Sequence, residues 1–269
     1  MTSFQRIVKY LAIAFAVFLI VSIISGICGA IALLTGMTGR STTGPMSSYQ
    51  VSGDIESLDM EISAAALKIV SGDRFGVESN HKYLRVRLDE GKLKIDEEKV
   101  MFGTSPEGVT VVLTVPEGFV FEDVDIETGA GKVEIDTLSA NTLSMELGAG
   151  STRIGCLNAA TRGKVSTGAG MLVVEDGELN DLSMEIGTGK LELTGRLTGK
   201  SRLDFGLGEA ELTLLGSRED YQIKFEKGIG SGTLDGNEMS GGSVYGGGKN
   251  HLDIDGGIGA LRIHFRDGK

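Results

Sequence analysis

An all-β domain wound as a single-chain β-solenoid, preceded by one transmembrane α-helix, is the fold class that this 269-residue sequence predicts. Three observations predict it. They are an uncharged apolar run near the amino terminus, two-residue apolar/polar alternation over most of the remaining chain, and a Gly-x-Gly triplet that returns about every 20 residues. Gly occurs 41 times against 3 Pro and no Trp, so the glycines lack the proline partnership of collagen or of disordered linkers.

The apolar run comes first. No charged residue lies between Tyr10 and Met37, and LAIAFAVFLIVSIISGICGAIALL is almost wholly apolar. Roughly 20 such residues cross a bilayer, whereas a cleaved signal peptide has an apolar core of only about 7 to 15. Ile27, directly before Cys28, is too bulky for a lipoprotein acylation site. Arg6 and Lys9 precede the run and, by the positive-inside preference, hold the amino terminus in the cytoplasm, an asymmetry that Arg40 weakens slightly. Residues 1–37 are therefore read as a cytoplasmic tip and transmembrane helix. The Ser/Thr/Gly-rich residues 38–50 are read as a flexible tether. The implied location is a bacterial cell membrane, single-pass, with the carboxy-terminal domain outside the cytoplasm.

Residues 51–269 form the repetitive β domain, in which 51–120 are amino-terminal strands and 121–269 carry the triplet. DIESLDMEISAAALKIVSG, KYLRVRLDEGKLKIDEE and GVTVVLTVPEGFVF alternate apolar and polar residues, with turns at Asp89-Glu90-Gly91 and Pro116-Glu117-Gly118. These strands are expected to cover the first open rung, since a bare solenoid end exposes strand edges.

The triplets begin at Gly129, Gly148, Gly168, Gly187, Gly206, Gly228 and Gly257. Three residues before each first Gly stand Ile126, Met145, Val165, Met184, Leu203, Phe225 and Ile254. Six after it stand Ile135, Ile154, Val174, Leu193, Leu212, Leu234 and Ile263, while Glu134, Arg153 and Glu192 fall on the opposite parity. Each repeat thus reads as a strand, a glycine corner and a second strand with one buried face. Gly at the corner permits positive φ or close approach of the next rung. Apolar contacts near Leu138, Leu157, Leu179, Leu197 and Leu215 return the chain. A dinucleotide-binding glycine motif is excluded, because no βαβ unit accompanies it and the triplet occurs seven times.

The segments GDIESLDMEISAAALKIVSG, Val115 to Phe119 (VPEGF), DIETGAGKVEID and the closing YGGGKNHLDIDGGIGALRIHF resemble the bacterial DUF4097 family of adhesin-like proteins. The resemblance covers about residues 50–269. It implies a non-enzymatic surface or envelope protein, with no catalytic residue and no cofactor.

The chemistry-bearing residues agree. His81, His251 and His264 have no Cys, Asp or Glu at a metal-motif spacing, and no nucleophile elbow is present. In GGIGAL, Leu261 stands where a calcium nonapeptide needs Asp, and Gly246-Gly247-Gly248 lacks the Lys-Ser/Thr ending of a phosphate loop. Cys156 reads as a small buried hydrophobe. One pattern appears only on alignment. Two residues before each first Gly stand Glu127, Glu146, Ser166, Glu185, Asp204, Glu226 and Asp255, an acid in six of the seven repeats. Stacked about 4.8 Å apart, these would form an outward acidic ladder. It is either a solvated face or a weak gatherer of divalent cations, for which Ca²⁺ suits flexible oxygen ligands.

Net charge is −11, and beyond position 40 there are 23 basic residues against 37 acidic, a net of −14. Such a surface repels nucleic acid. The expected partners are the membrane and either another envelope protein or an extracellular polymer. The expected function is a non-enzymatic, membrane-anchored adhesin or interaction scaffold. An accessory regulator of envelope stress acting through the membrane helix is the alternative. A solenoid polysaccharide-active enzyme comes third, supported by fold analogy alone.

Overall fold

The computed structural model describes residues 40–41, 43–98, 104–105 and 108–267. The transmembrane helix expected over residues 1–37 lies outside the described residues. Among those described, no helix is long and apolar enough to cross a membrane. In chain order the strands are β1 (Arg40–Ser41), β2 (Thr43–Tyr49), β3 (Ser57–Gly72), β4 (Gly76–His81), β5 (Leu84–Asp89), β6 (Lys92–Glu97), β7 (Thr104–Ser105), β8 (Thr110–Pro116), β9 (Phe121–Asn180), β10 (Leu182–Thr198), β11 (Lys200–Leu215), β12 (Tyr221–Glu226), β13 (Ile229–Leu234), β14 (Asn237–Glu238), β15 (Ser243–Gly246) and β16 (Asn250–Arg266). The chain divides into two compact units. One, residues 1–41 and 100–105, contains the short parallel pair of β1 and β7. The other, residues 42–99 and 106–269, contains all the remaining strands.

That second unit is a parallel stack. β9 winds through the corners at Gly129, Gly148 and Gly168, and β10 and β11 add those at Gly187 and Gly206. The register aligns the glycines, pairing Gly170 with Gly189 and Gly189 with Gly208. The reason for glycine is geometric. Gly189 has φ +138°, a conformation costly to any residue with a side chain, and a Cβ there would overlap the Gly170 carbonyl oxygen. Parallel rungs bring main chain against main chain at these corners, so nothing larger fits.

The first rung was hidden in the sequence. β3 pairs in register along the start of β9, with Ala65 opposite Gly131, so Ser63-Ala64-Ala65 is a corner without glycine. Beneath it, β6 pairs only as far as Glu61 and β8 begins at Ala66. Ala65 thus has no strand backbone pressed against it from that side, and its φ is not positive. β3 is therefore a rung rather than part of a cover. The cover consists of β6 and β8, with β5, β4 and β2 added antiparallel.

One further expectation needs correction. Residues 38–50 were expected as a flexible tether, yet Thr43–Tyr49 is an edge strand antiparallel to β4. An edge strand needs only one partner, and with most of its side chains exposed it needs no apolar alternation. The last two rungs also stack out of sequence order. β16, with the Gly257 corner, lies between β11 and the outermost β12 and β13, which flank the Gly228 corner. A 3-10 turn, Arg218–Asp220, comes after β11 before the chain enters the outermost rung. The buried Tyr221 hydroxyl fixes this crossover by donating to the Leu215 carbonyl and accepting from the Leu197 N–H. β15 then turns antiparallel to β12, and β16 re-enters the gap.

The inward positions are as the alternation predicts. All fourteen apolar residues three before and six after each first Gly are buried, among them Met145, Ile154 and Leu212 at 0% exposure. Of the return contacts, Leu138, Leu157, Leu179 and Leu197 are buried, while Leu214 takes the place expected for Leu215.

Two outcomes are expected of melting experiments on the full chain. Leu193→Asp sets an unpaired carboxylate in the core, at a cost of several kcal/mol, whereas Glu192→Lys stays within about 0.5 kcal/mol. Equal melting temperatures would show that the inward face is misassigned. Gly189→Ala should lose about 2–4 kcal/mol from its positive φ and the carbonyl overlap, while Ala65→Gly loses no more than about 1 kcal/mol. Similar losses at both sites would refute the stacking account of the corners.

Candidate functional site

The aligned acids do occupy one outward column. Register pairs Glu61 with Glu127, Glu185 with both Ser166 and Asp204, and Asp255 with both Asp204 and Glu226. Glu127, Glu146, Glu185, Glu226 and Asp255 are exposed, and Asp204 is half-exposed. The column is longer than the triplets suggest, since Asp96 pairs with Glu61 and extends it into the cover. Glu61 and Asp96 could have been found by extending the strand alternation through β3 and β6. They were missed because neither strand carries the glycine marker.

A second outward column, two residues earlier on each strand, sets the electrostatics. It carries Lys164, Arg202 and Lys224 in the later rungs. Lys164 donates to Glu146 at 3.0 Å, Arg202 bridges Asp204 and Asp255 at 2.8 Å each, and Lys224 reaches Glu226 at 3.3 Å. Much of the ladder is thus neutralised by the chain itself. Towards the amino-terminal end this column holds Asp125 and Asp59, and then Lys94, which pairs in register with Asp59. Among the described residues, no ion pair joins Asp59, Glu61, Asp125 or Glu127 to a cation. Partial desolvation on the sheet, and then the carboxylates of Asp125, Glu146, Glu61 and Asp59, raise the Glu127 carboxyl above its ordinary value. The acid face is therefore compensated unevenly: Asp96 is held by Arg85 and Arg87, and Glu146, Asp204, Asp255 and Glu226 by Lys164, Arg202 and Lys224, while Glu61, Glu127 and Glu185 have no ion pair among the described residues.

Other candidates resolve into structure. His81 is buried in the cover, its Nδ1 accepting from the Tyr83 N–H, while His251 and His264 are half-buried in β16. Among the described residues no three His, Cys, Asp or Glu side chains are placed to hold a metal ion. Cys28 lies outside the described residues. Cys156 is half-buried, and burial pushes its thiol up, away from the reactive thiolate. Leu261 faces the core, so the calcium-nonapeptide position has no ligand to offer. Gly246 and Gly247 are exposed at the end of β15, with open space around Gly247. At the glycine corners, Thr128, Leu147, Gly150, Thr152 and Met171 line a shallow depression.

Comparison with known proteins places this architecture. No curated protein matches the chain. A candidate adhesin from Bacteroides fragilis NCTC 9343 is similar in structure at 13% identity and TM-score 0.49, over 84% of this chain and 100% of that one. A candidate adhesin from Parabacteroides distasonis ATCC 8503 gives 12% and 0.43, over 84% and 99%. A candidate lipid-binding protein from the same organism gives 14% and 0.40, over 86% and 100%. The family model described as Toastrack DUF4097 matches residues 54–235. That stretch holds the Ala65 rung and the corners from Gly129 to Gly228, and it is well over half of the sequence: this chain belongs to the Toastrack DUF4097 family.

Proposed function

We propose that this protein is a non-enzymatic scaffold held on the outer side of a bacterial membrane by one amino-terminal span, and that its stacked sheet faces bind partners. The observation that carries the reading is the outward face itself. It repeats one carboxylate position from rung to rung, on a frame whose buried positions are given over to packing. A surface periodic at about 4.8 Å suits an extended polymer or a flat protein partner better than a small substrate. The uncharged run from Tyr10 to Met37, with Arg6 and Lys9 before it, supports the anchor and its orientation.

Within this reading the unpaired carboxylates of Glu61 and Glu127 are where a divalent cation would act. Glu127 stands among carboxylates that disfavour its ionisation. A dication lodged there would relieve that repulsion and could bridge to an anionic polymer, with modest affinity because no closed cage surrounds it.

Topology is checked first. In a Cys28→Ser, Cys156→Ser background, a single cysteine replacing Glu192 should react with a membrane-impermeant maleimide on intact cells. Labelling only after lysis would overturn the outward placement. Capture from intact cells with the anchored protein as bait then separates the roles, since an extracellular polymer favours adhesion and a membrane protein favours envelope signalling.

The cation role is checked by melting the full chain in millimolar Ca²⁺ against NaCl of equal ionic strength. Ca²⁺ should raise the melting temperature more than NaCl does, and Glu127→Gln combined with Glu61→Gln should remove most of the difference. No excess effect of Ca²⁺, or one that survives both substitutions in full, reduces the ladder to a solvated face.

A further inference from the structure

The cover closes the amino-terminal end of the stack only in part. Among the described residues no strand lies beyond β5 or β2 at this end. Val86 and Leu88 pair with the buried Ile95 and Leu93, and Tyr49 pairs with the buried Val77, so all three face the core. Each is nevertheless only half-buried. In the same cover Phe75 and Phe119, also half-buried, meet edge to face at 4.9 Å. The link from β2 to β3 crosses here, with Gly53 so near Leu88 that a Cβ would overlap its side chain. At the opposite end the inward Phe225, Leu234 and Met239 are no more than 2% exposed.

Chain length and charge together say what lies against this apolar base. Thr43 opens β2 six residues after Met37, where the apolar run read as the membrane span ends. Six residues can hold β2 no more than about 20 Å from the end of that span. The rungs stacked on β3 carry the other end of the domain about 35 Å away from it. Charge points the same way. Residues 82–98, which hold β5 and β6, carry five cations and five acids, whereas the chain beyond position 40 has a net charge of −14. The acidic flanks of the stack are repelled by anionic lipid headgroups, and the balanced base is not.

We propose that this base docks on the bilayer that carries the chain's own anchor, setting Tyr49, Phe75, Val86, Leu88 and Phe119 at the depth of the lipid headgroups, with the stack upright on the membrane. The proposal rests on the anchored reading above and adds the orientation. Aromatic side chains favour that interfacial depth. Arg85 and Arg87, on the outward side of β5, share the one carboxylate of Asp96 and keep guanidinium donors for lipid phosphate. A short tether holds the base at high effective concentration, so weak apolar contact is enough. Upright docking runs the acid column away from the membrane, with Asp96 nearest the lipid and Glu226 farthest from it.

The test uses the full chain in phosphatidylcholine vesicles, in a Cys28→Ser, Cys156→Ser background. One cysteine, replacing Arg87 at the base or Val244 at the far end, carries a bimane, and a nitroxide on the lipid headgroups is the quencher. Quenching at Arg87→Cys should exceed that at Val244→Cys by about fivefold, because the sites lie many rungs apart. Inserting about 20 Gly/Ser residues after Ser41 separates docking from mere nearness, since it frees a tethered base but not a docked one. In that lengthened chain Arg87→Cys should keep at least about half of its quenching. Adding Tyr49→Ser and Leu88→Ser should then bring it down to the Val244→Cys level, with folding checked by melting in detergent. If that variant does not fold, the lengthened chain without it decides. Equal quenching at the two sites, loss of the Arg87→Cys signal on lengthening alone, or its survival in the folded double variant would each overturn docking and leave the anchor in place. So would an unquenched Arg87→Cys that a bis-maleimide joins to a second copy, because the base is then covered by protein. A chain that does not float with the vesicles overturns the anchor, and docking with it.

Discussion

The close approach of one corner's main chain to the carbonyl oxygens of the corner before it is the constraint on which the rest of the fold depends. Where Gly189 meets Gly170 and Gly208 meets Gly189, there is room for a hydrogen atom and for nothing larger. Register is thereby fixed at one point in every rung, and two-residue alternation fixes the facing of the side chains outward from that point. Met184 and Leu203 stack in the core as a consequence, and Glu185 and Asp204 stack in solvent. A one-residue slip would exchange those two columns and press a side-chain carbon into a carbonyl at the same time.

The same register makes the outer face an electrostatic object rather than a set of separate residues. Repeating a carboxylate in adjacent parallel strands raises like charges beside one another, which is unfavourable unless something intervenes. In the later rungs Lys164, Arg202 and Lys224 intervene, each from the neighbouring column. These surface pairs are individually weak. Among the described residues they leave Glu61, Glu127 and Glu185 without an ion pair, and carboxylates crowd most closely around Glu127.

Much of this was legible in the sequence, because a solenoid writes its local geometry repeatedly. The triplet marks the corner, and the parity of Ile135, Leu193 and Ile263 marks the core. What was not legible has a physical cause in each case. The Ala65 corner was silent because an end rung is not pressed from below by another corner, so the constraint that writes glycine is absent there. The strand Thr43–Tyr49 was silent because an edge strand with exposed side chains has no core to pattern it. Glu61 and Asp96 belong to the acid column but sit on strands without the marker used to align it.

The exchange of the last two rungs shows the limit of reading spatial order from a repeat. The spacings between successive triplets lengthen to 22 and 29 residues only at Gly228 and Gly257. The first accompanies the step over one rung, and the second holds β14 and β15, through which the chain comes back. Local register is indifferent to that detour, because a parallel corner accepts any rung that offers glycines at the right separation, whether it is next in the chain or not. Insertion of β16 between β11 and the outermost rung has a further effect on stability. The closing segment becomes internal, paired with β11 on one side and with β12 and β13 on the other, so the carboxy-terminal strand cannot peel away as a free edge. The strands left at the edge are instead the short β14 and β15, tied down by the buried Met239 and by the Tyr245 hydroxyl, which accepts from the Ser240 N–H. A stack that ended in sequence order would have left seventeen residues of β16 as a long, regular edge, which is the form most prone to uncontrolled pairing. Doubling back confines the open edge at this end to a few residues.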